Sequence, residues 1–303
     1  MVDLHTHSTA SDGSLPPSEL IAQAAKMGLS AIALTDHDTI GGLDEAAGTA
    51  RERGIDFIPG IELEITFDPG THRNPEGEFH LLGLGLIKPT PGFIAAIEGL
   101  ARRRHERNLE ILDRMNKAGI PASYNEIVTI RNPTTENPTT GNLTQNSIGR
   151  PHFAAFLVKR KIVRNRELAF KRYLGRGKPF YIPKVGLEFE SAVELIHQSG
   201  GIAVLAHPMS LYTAWGRLPD LIKNLKGKGL DGLEAWHPSA KVSACKRLEE
   251  LGRKLALVIT AGSDFHGEAR PDRKLGITAG GKKINDSFLE EIKGIWALHD
   301  SNM

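Results

Sequence analysis

The sequence predicts an α/β fold in which parallel strands alternate with helices and a helical segment interrupts the alternation. Three observations carry this prediction. Short apolar runs alternate with amphipathic stretches in the first and last thirds of the chain. That rhythm is lost over residues 100–185. The histidines and acids able to do chemistry stand where the apolar runs end. With 303 residues, 40% hydrophobic and 24% charged, the chain has room for one large domain and an insertion. A net charge of +2 gives no electrostatic case for binding long duplex nucleic acid. The single cysteine, Cys245, rules out an intramolecular disulfide. No signal-peptide pattern follows Met1 and no apolar run has membrane-spanning length, so a cytoplasmic, membrane-free protein is expected.

In order, residues 2–5 read as a strand. Pro16-Pro17-Ser18-Glu19 opens a helix through Lys26, with Gly28 at its end. Residues 31–34 form a strand, and 43–53 a helix closed by Gly54. Phe57-Ile58 leads through Gly60-Ile61-Glu62 into the alternating run 63–67, and 79–87 is a further strand. Helical crossovers between these strands imply parallel pairing. Residues 91–118 read as one long helix, 132–146 as an Asn-, Thr- and Pro-rich loop, and 151–158 and 166–174 as short helices. The alternation resumes with helix 191–198, strand 202–205, helix 218–225, strand 232–236, helix 241–253, strand 255–260 and a closing helix over 292–298. The expected organisation is therefore a discontinuous domain, 1–99 with 186–303, and a helical insertion, 100–185.

The chemistry gathers at strand ends. His5-Thr6-His7 is an H-x-H pair, and period-two alternation puts both imidazoles on one face of a strand. Asp12, His37, Glu62, His80, His207, Asp264 and His266 occupy comparable positions after or beside other apolar runs. In barrels and open α/β sheets the carboxyl edge of the strands carries the active site, so residues distant in sequence converge there. Six imidazoles and three carboxylates make a mixed nitrogen–oxygen set suited to Mn, with Fe or Zn as alternatives. Nine ligands exceed one ion's needs, and a carboxylate such as Glu62 can bridge, so two or three divalent metal ions are expected. Glu64 shares a face with Glu62, and spacing alone does not separate them.

The combination Asp-Leu-His-Thr-His-Ser from Asp3, Thr-Asp-His-Asp from Thr35, Gly-Ile-Glu from Gly60, Ala-His-Pro from Ala206 and Ser-Asp-Phe-His from Ser263 resembles the motifs of the PHP (polymerase and histidinol phosphatase) family. The resemblance covers residues 1–87 and 190–270. It implies a distorted (β/α)7 barrel with a metal cluster at the carboxyl strand ends. It also implies a first metal on His5, His7, Glu62 and Asp264, a second on Glu62, His80 and His207, and a third on Asp12, His37 and His266. Within the insertion, Ile148-Gly149-Arg150-Pro151-His152-Phe153 and Tyr173 to Pro179 resemble a subfamily that removes phosphate from nucleotides such as adenosine 3′,5′-bisphosphate or trims short RNA from its 5′ end. By that resemblance Arg150, His152 and Lys178 are substrate ligands.

Residues 159–178 contain nine basic side chains and one acid, Glu167, which suits a polyanionic substrate. Asp12, His207 and His237 are the candidate catalytic residues. His237 could also hydrogen-bond substrate phosphate, and a structural role fits it equally. The expected enzyme is a metal-dependent phosphoesterase that uses a metal-bridging hydroxide to convert a 3′,5′-nucleotide bisphosphate to nucleoside 5′-monophosphate and phosphate. The alternatives are a 5′→3′ exonuclease on short RNA, a histidinol-phosphate phosphatase, a C–N hydrolase, and a non-catalytic nucleic-acid-binding module. The substrate class is thus a small nucleotide or short RNA, and nothing in the sequence specifies an oligomeric state.

Overall fold

The computed structural model describes residues 1–66, 77–131 and 148–300. The elements run β1 (Val2–Asp3), α1 (Pro17–Lys26), β2 (Ala31–Leu34), α2 (Leu43–Arg53), β3 (Asp56–Thr66), β4 (His80–Leu84), α3 (Pro91–Lys117), α4 (Tyr124–Arg131), α5 (Arg150–Lys159) and α6 (Arg166–Ala169). They continue with β5 (Leu187–Glu188), α7 (Phe189–Gln198), β6 (Ile202–Leu205), α8 (Leu218–Gly227), β7 (Gly232–Trp236), α9 (Val242–Lys254), β8 (Val258–Ala261), the antiparallel ribbon β9 (Ile277–Thr278) and β10 (Lys282–Lys283), and α10 (Ser287–Asp300). The chain divides into two compact units, Met1–Ala96 with Gly186–Met303, and Ile97–Val185.

The first unit is a nearly closed, barrel-like sheet with strand order β1-β2-β3-β4-β6-β7-β8, and β5 pairs with β3 off that path. Past the end of β8 the sheet turns back onto β1. Thr6 bridges Phe265 in parallel, the His7 N–H donates to the Phe265 carbonyl at 2.9 Å, and the Asp264 N–H donates to the His5 carbonyl at 3.0 Å. β2, β6 and β8 are buried at every residue, as strands covered on both faces must be. On the outer side, Leu20, Ile21 and Ala24 of α1 pack with Ala46 and Ala50 of α2 against Ile32 and Leu34 of β2. Fully burying a leucine or isoleucine contributes about 1.5–3 kcal/mol, so this layer is a main source of the unit's stability.

The expectation of all-parallel pairing fails at β4, which is antiparallel to both β3 and β6. The two strands flanking β4 therefore point the same way, and β4 enters the sheet from their carboxyl edge. His80 stands at the start of its strand, yet it shares the edge where the other candidates stand at strand ends. A sequence run has no visible direction relative to its neighbours, so periodicity could not reveal this reversal.

The second unit has its own core. Phe153, Phe156 and Leu157, spaced to one face of α5, are buried with Ile111, Leu112, Met115, Ile127, Leu174 and Phe180. Its α4 was not anticipated from the sequence. The run 166–174 begins as α6 and loosens into a π-turn over Phe170–Leu174. In the first unit β8 starts later than expected, because the Leu255 and Leu257 N–H groups close the end of α9 on Leu251 and Gly252. The 132–146 stretch lies outside the described residues. No helix among the described residues is long and apolar enough to cross a membrane.

Candidate metal centre

The nine anticipated ligands converge at the carboxyl edge of the barrel sheet. Single ligand atoms of His7, Asp12, His37 and His266 lie within 4.8 Å of one another. The same holds for His5, His7 and Asp264, for His5, Glu62 and His207, and for His37, Glu62 and His80. These groups cut across the three sets implied by the motifs. His7 reaches the Asp12 group as well as the Asp264 group, and His5, His37 and Glu62 are likewise each shared by two groups.

Glu62 is the hub. It is fully buried at mid-strand on β3. Its Oε1 lies 2.8 Å from His80 Nδ1 and 2.8 Å from His207 Nε2. Its Oε2 lies 3.4 Å from His5 Nε2, 3.3 Å from His7 Nε2 and 3.0 Å from His37 Nδ1. Glu64, two residues along the same face, instead meets the far side of His80, with Oε2 3.1 Å from Nε2. Geometry thus separates the two glutamates that spacing could not.

The buried donors around Glu62 Oε2 fit a cation. His5 Nδ1 faces Glu234 Oε1 at 3.0 Å, which in the neutral ring holds the proton on Nδ1 and leaves Nε2 a bare lone pair. That lone pair meets His7 Nε2 at 3.1 Å, and Asp264 Oδ1 lies 3.6 Å from His5 Nε2 and 3.4 Å from His7 Nε2. Four ligands about 2.1 Å from a tetrahedral ion sit about 3.4 Å apart, which is the spacing found here. Glu62 Oε2 is buried and has no hydrogen-bond partner among the described residues, an arrangement that costs free energy unless something positive sits beside it.

The titration of the same groups leads to the same need for positive charge. Burial opposes charge on every member. For His5 the Glu234 and Glu62 carboxylates outweigh it and raise the imidazole pKa well above its ordinary value. For His7 the facing Asp264 and Glu62 carboxylates outweigh it, and the pKa is pushed up to about 9. Burial likewise works against ionisation of Glu62, Asp12 and Asp264, but the facing imidazoles hold all three well below the usual carboxylate range. The carboxylates are therefore ionised, and their charge is balanced by protons or by metal; an entering cation displaces protons.

Local backbone features aim these side chains. His207 has φ +28° and Asp264 has φ +53°, left-handed values that cost free energy in non-glycine residues and are typical of functional sites. On β7 the register shifts between Glu234 and Trp236, leaving one extra residue opposite β8. Strict alternation would put residues 234 and 237 on opposite faces; the extra residue turns both toward the cluster. Gly262 passes so close that a Cβ there would sit 2.2 Å from the His5 Cβ and 2.6 Å from Glu234 Oε1.

Glu234, Ser210 and Arg270 were not singled out from the sequence. Glu234 braces two ligands, accepting the His207 N–H at 2.7 Å while facing His5 Nδ1. A glutamate inside an apolar strand was the available signal. Asp36 takes the Ser8 N–H at 2.8 Å and the hydroxyls of Ser8 and Ser11, so it fixes the turn after His7. Ser210 Oγ meets His207 Nδ1 at 2.6 Å. Arg270 Nη1 meets Asp264 Oδ2 at 2.8 Å.

His237 lies beside the cluster, with Nε2 3.3 Å from Asp264 Oδ2. Burial pushes its imidazole below the ordinary value, although Glu234 and Asp264 oppose this, so the ring is neutral near pH 7. The Ser239 N–H donates to His237 Nδ1 at 3.2 Å, which places the ring proton on Nε2, a buried atom with no hydrogen-bond partner among the described residues.

In the second unit, Arg150 opens α5 with its guanidinium over the Tyr181 ring at 5.3 Å. His152 Nδ1 accepts the Gly149 N–H at 3.0 Å, closing the start of that helix. Lys178 is exposed in a turn whose N–H meets the Gly175 carbonyl at 3.0 Å.

A barrel-like α/β sheet whose carboxyl edge gathers imidazoles and shared carboxylates into adjoining cages defines a metal-dependent hydrolase. Comparison with known proteins gives the family. A PHP domain profile matches residues 3–136. A 5′-3′ exoribonuclease of Haemophilus influenzae is 36% identical over 87% of this chain and 89% of its own length. A 3′,5′-nucleoside bisphosphate phosphatase of Chromobacterium violaceum is 32% identical over 91% of each chain. Among solved structures, an amidohydrolase of Chromobacterium violaceum with bound sulfate and no metal has a TM-score of 0.80 and 30% identity, covering 97% of this chain and 96% of that one. A Bifidobacterium adolescentis structure described as a metal-dependent phosphoesterase has a TM-score of 0.79 and 26% identity, covering 96% and 94%. The chain belongs to the PHP domain family. It is a metal-dependent phosphoesterase, a hydrolase acting on phosphoric ester bonds.

Proposed function

We propose that the protein removes phosphate from 3′,5′-nucleotide bisphosphates, giving the nucleoside 5′-monophosphate and phosphate. The observation that carries the phosphoryl chemistry is the division of Glu62, with Oε1 on the His80–His207 side and Oε2 on the His5–His7 side. One carboxylate facing two adjacent donor groups is suited to hold two cations side by side. His5, His7, Glu62 and Asp264 would hold the first, Glu62, His80 and His207 the second, and Asp12, His37 and His266 a third, with Mn the expected ion and Fe or Zn the alternatives. When bound, such ions supply Lewis acidity and an activated water for in-line attack on phosphorus.

The chain's own groups do the rest. Glu234 keeps the His5 proton on Nδ1 and so keeps Nε2 available. His237 holds a proton at Nε2 and donates it as a hydrogen bond to a phosphate oxygen; a neutral ring is a better donor here than a general acid. Asp12 is ionised, with Oδ1 3.2 Å from His266 Nε2, and acts as ligand or proton acceptor at the third position. Arg150, His152 and Lys178 supply phosphate contacts from the insertion.

The choice of substrate rests on the 32% identical bisphosphate phosphatase; the 36% identical exoribonuclease supports the second reading, stepwise removal of nucleotides from short 5′-phosphorylated RNA. Purified protein with Mn, assayed on adenosine 3′,5′-bisphosphate, short 5′-phosphorylated RNA and histidinol phosphate, ranks the readings by kcat/KM. Fastest turnover of the bisphosphate is expected. Faster turnover of RNA would transfer the assignment to the exonuclease, and faster turnover of histidinol phosphate would remove both.

A further inference from the structure

The Asp264 carboxylate divides between two surroundings. Oδ1 faces His5 Nε2 at 3.6 Å and His7 Nε2 at 3.4 Å. Oδ2 faces Arg270 Nη1 at 2.8 Å and His237 Nε2 at 3.3 Å. We propose that Arg270 is a phosphate-binding residue of the barrel unit, which together with the buried His237 Nε2 grips the substrate's phosphoryl group beside Asp264. The inference rests on the phosphoesterase reading of the cluster and extends it to a residue outside the ligand motifs.

Arg270 is well placed for this. Its side chain is 49% exposed while its Nη1 touches a carboxylate of the cluster, so the guanidinium spans from solvent to the site. A guanidinium carries five N–H donors in a planar fork that matches phosphate oxygens. Among the described residues it donates a hydrogen bond to Asp264 through Nη1, which leaves most of that fork for an anion. The loop that carries it is firmly anchored. The Ser14 N–H donates to the His266 carbonyl at 3.0 Å, and the Glu268 N–H donates to Ser14 Oγ at 2.8 Å. Gly267, at φ +63°, lies so near that a Cβ would come within 2.1 Å of Ser14 Oγ.

A purely structural ion pair is the competing account. Such a pair is served by the Nη1 contact alone and gives no role to the part of the fork that reaches solvent. A cation on the Oδ1 side would also draw on the Asp264 charge and free the guanidinium to meet another anion. His237 Nε2 is the second, independent observation: a buried donor without a hydrogen-bond partner among the described residues, on the same side of Asp264.

The test uses the full chain loaded with Mn. Arg270→Ala and Arg270→Lys are compared with the unaltered protein for calorimetric affinity toward inorganic phosphate, for Mn content, for thermal midpoint, and for kcat and KM on the bisphosphate. Arg270→Ala is expected to weaken phosphate binding by about ten- to a hundred-fold at unchanged Mn content, with Arg270→Lys recovering part of the loss. Unchanged phosphate affinity in both variants overturns the proposal. So does a loss of phosphate affinity that merely follows lost Mn or a lowered thermal midpoint. An unaltered protein that fails to turn over the bisphosphate overturns the substrate assignment alone, because phosphate affinity is read without turnover.

Discussion

The barrel edge and the insertion use polar residues in opposite ways. At the barrel edge, Glu62, His5, His7 and Asp264 are buried, and each meets several other polar groups. In the insertion, Lys159, Arg160, Lys161, Arg164, Arg166, Lys171, Arg172, Arg176 and Lys178 are exposed around an apolar core of their own. A buried charge is tolerated only when partners are fixed around it, whereas an exposed basic side chain is solvated wherever it points. The edge is therefore defined by fixed geometry, and the surface of the insertion by basic composition.

The sharpest way to break this contrast is Glu62→Gln. If the edge works as one unit, activity falls by at least about a thousand-fold with loss of bound metal, since the two Glu62 oxygens face both donor groups. Metal analysis and a phosphate-release assay read this; near-normal metal content with normal turnover would dissolve the idea of a hub. A smaller effect is expected at Glu234, which touches ligands rather than metal. Glu234→Gln should weaken metal affinity by about ten- to a hundred-fold, measured by competition with a chelator. Gly262→Ala should resemble it, because the added methyl collides with both His5 and Glu234; tight metal binding in both variants would count against the bracing role.

In the insertion, Arg150→Ala should raise KM for the bisphosphate by about ten-fold while leaving metal content and thermal midpoint unaltered. A fall in kcat alone would move Arg150 from binding to chemistry. The smallest effect lies remote from both regions. His197 on α7 pairs with Asp231 at 2.6 Å, and the hydrogen bond to that carboxylate raises its pKa despite partial burial. A raised imidazole pKa means the folded state binds the proton more tightly than the unfolded state. Its contribution is full below about pH 6.5 and fades as pH rises through the folded value; at this partly exposed site it is below about 1 kcal/mol after screening. Denaturant midpoints across that range, compared with His197→Gln, check the sign; a difference that grows with pH would contradict it.

Helix and strand periods made most of the barrel legible. The strands over residues 31–34, 202–205 and 232–236 and the helix over 43–53 appear where the apolar patterns put them. The direction of β4 was not legible, because pairing polarity depends on a neighbour distant in the chain. The nine candidate ligands were legible as a set because most of them follow apolar runs, although Glu62 stands at mid-strand and His80 at a strand start. The residue that braces two of them was not: Glu234 sits inside a strand.

By itself, the sequence determined which residue types cluster at strand ends, and hence that nitrogen and oxygen donors would meet. Periodicity and topology suffice for that, since a carboxyl edge collects whatever follows each strand. Only the tertiary structure decided how those donors are shared. Glu62 rather than Glu64 became the hub, His7 reaches two groups, the extra residue on β7 turned Glu234 and His237 to one side, and Arg270 came to lie against Asp264. Those outcomes depend on ångström-scale approach between chain segments that are far apart in sequence, and a one-dimensional pattern carries no distances.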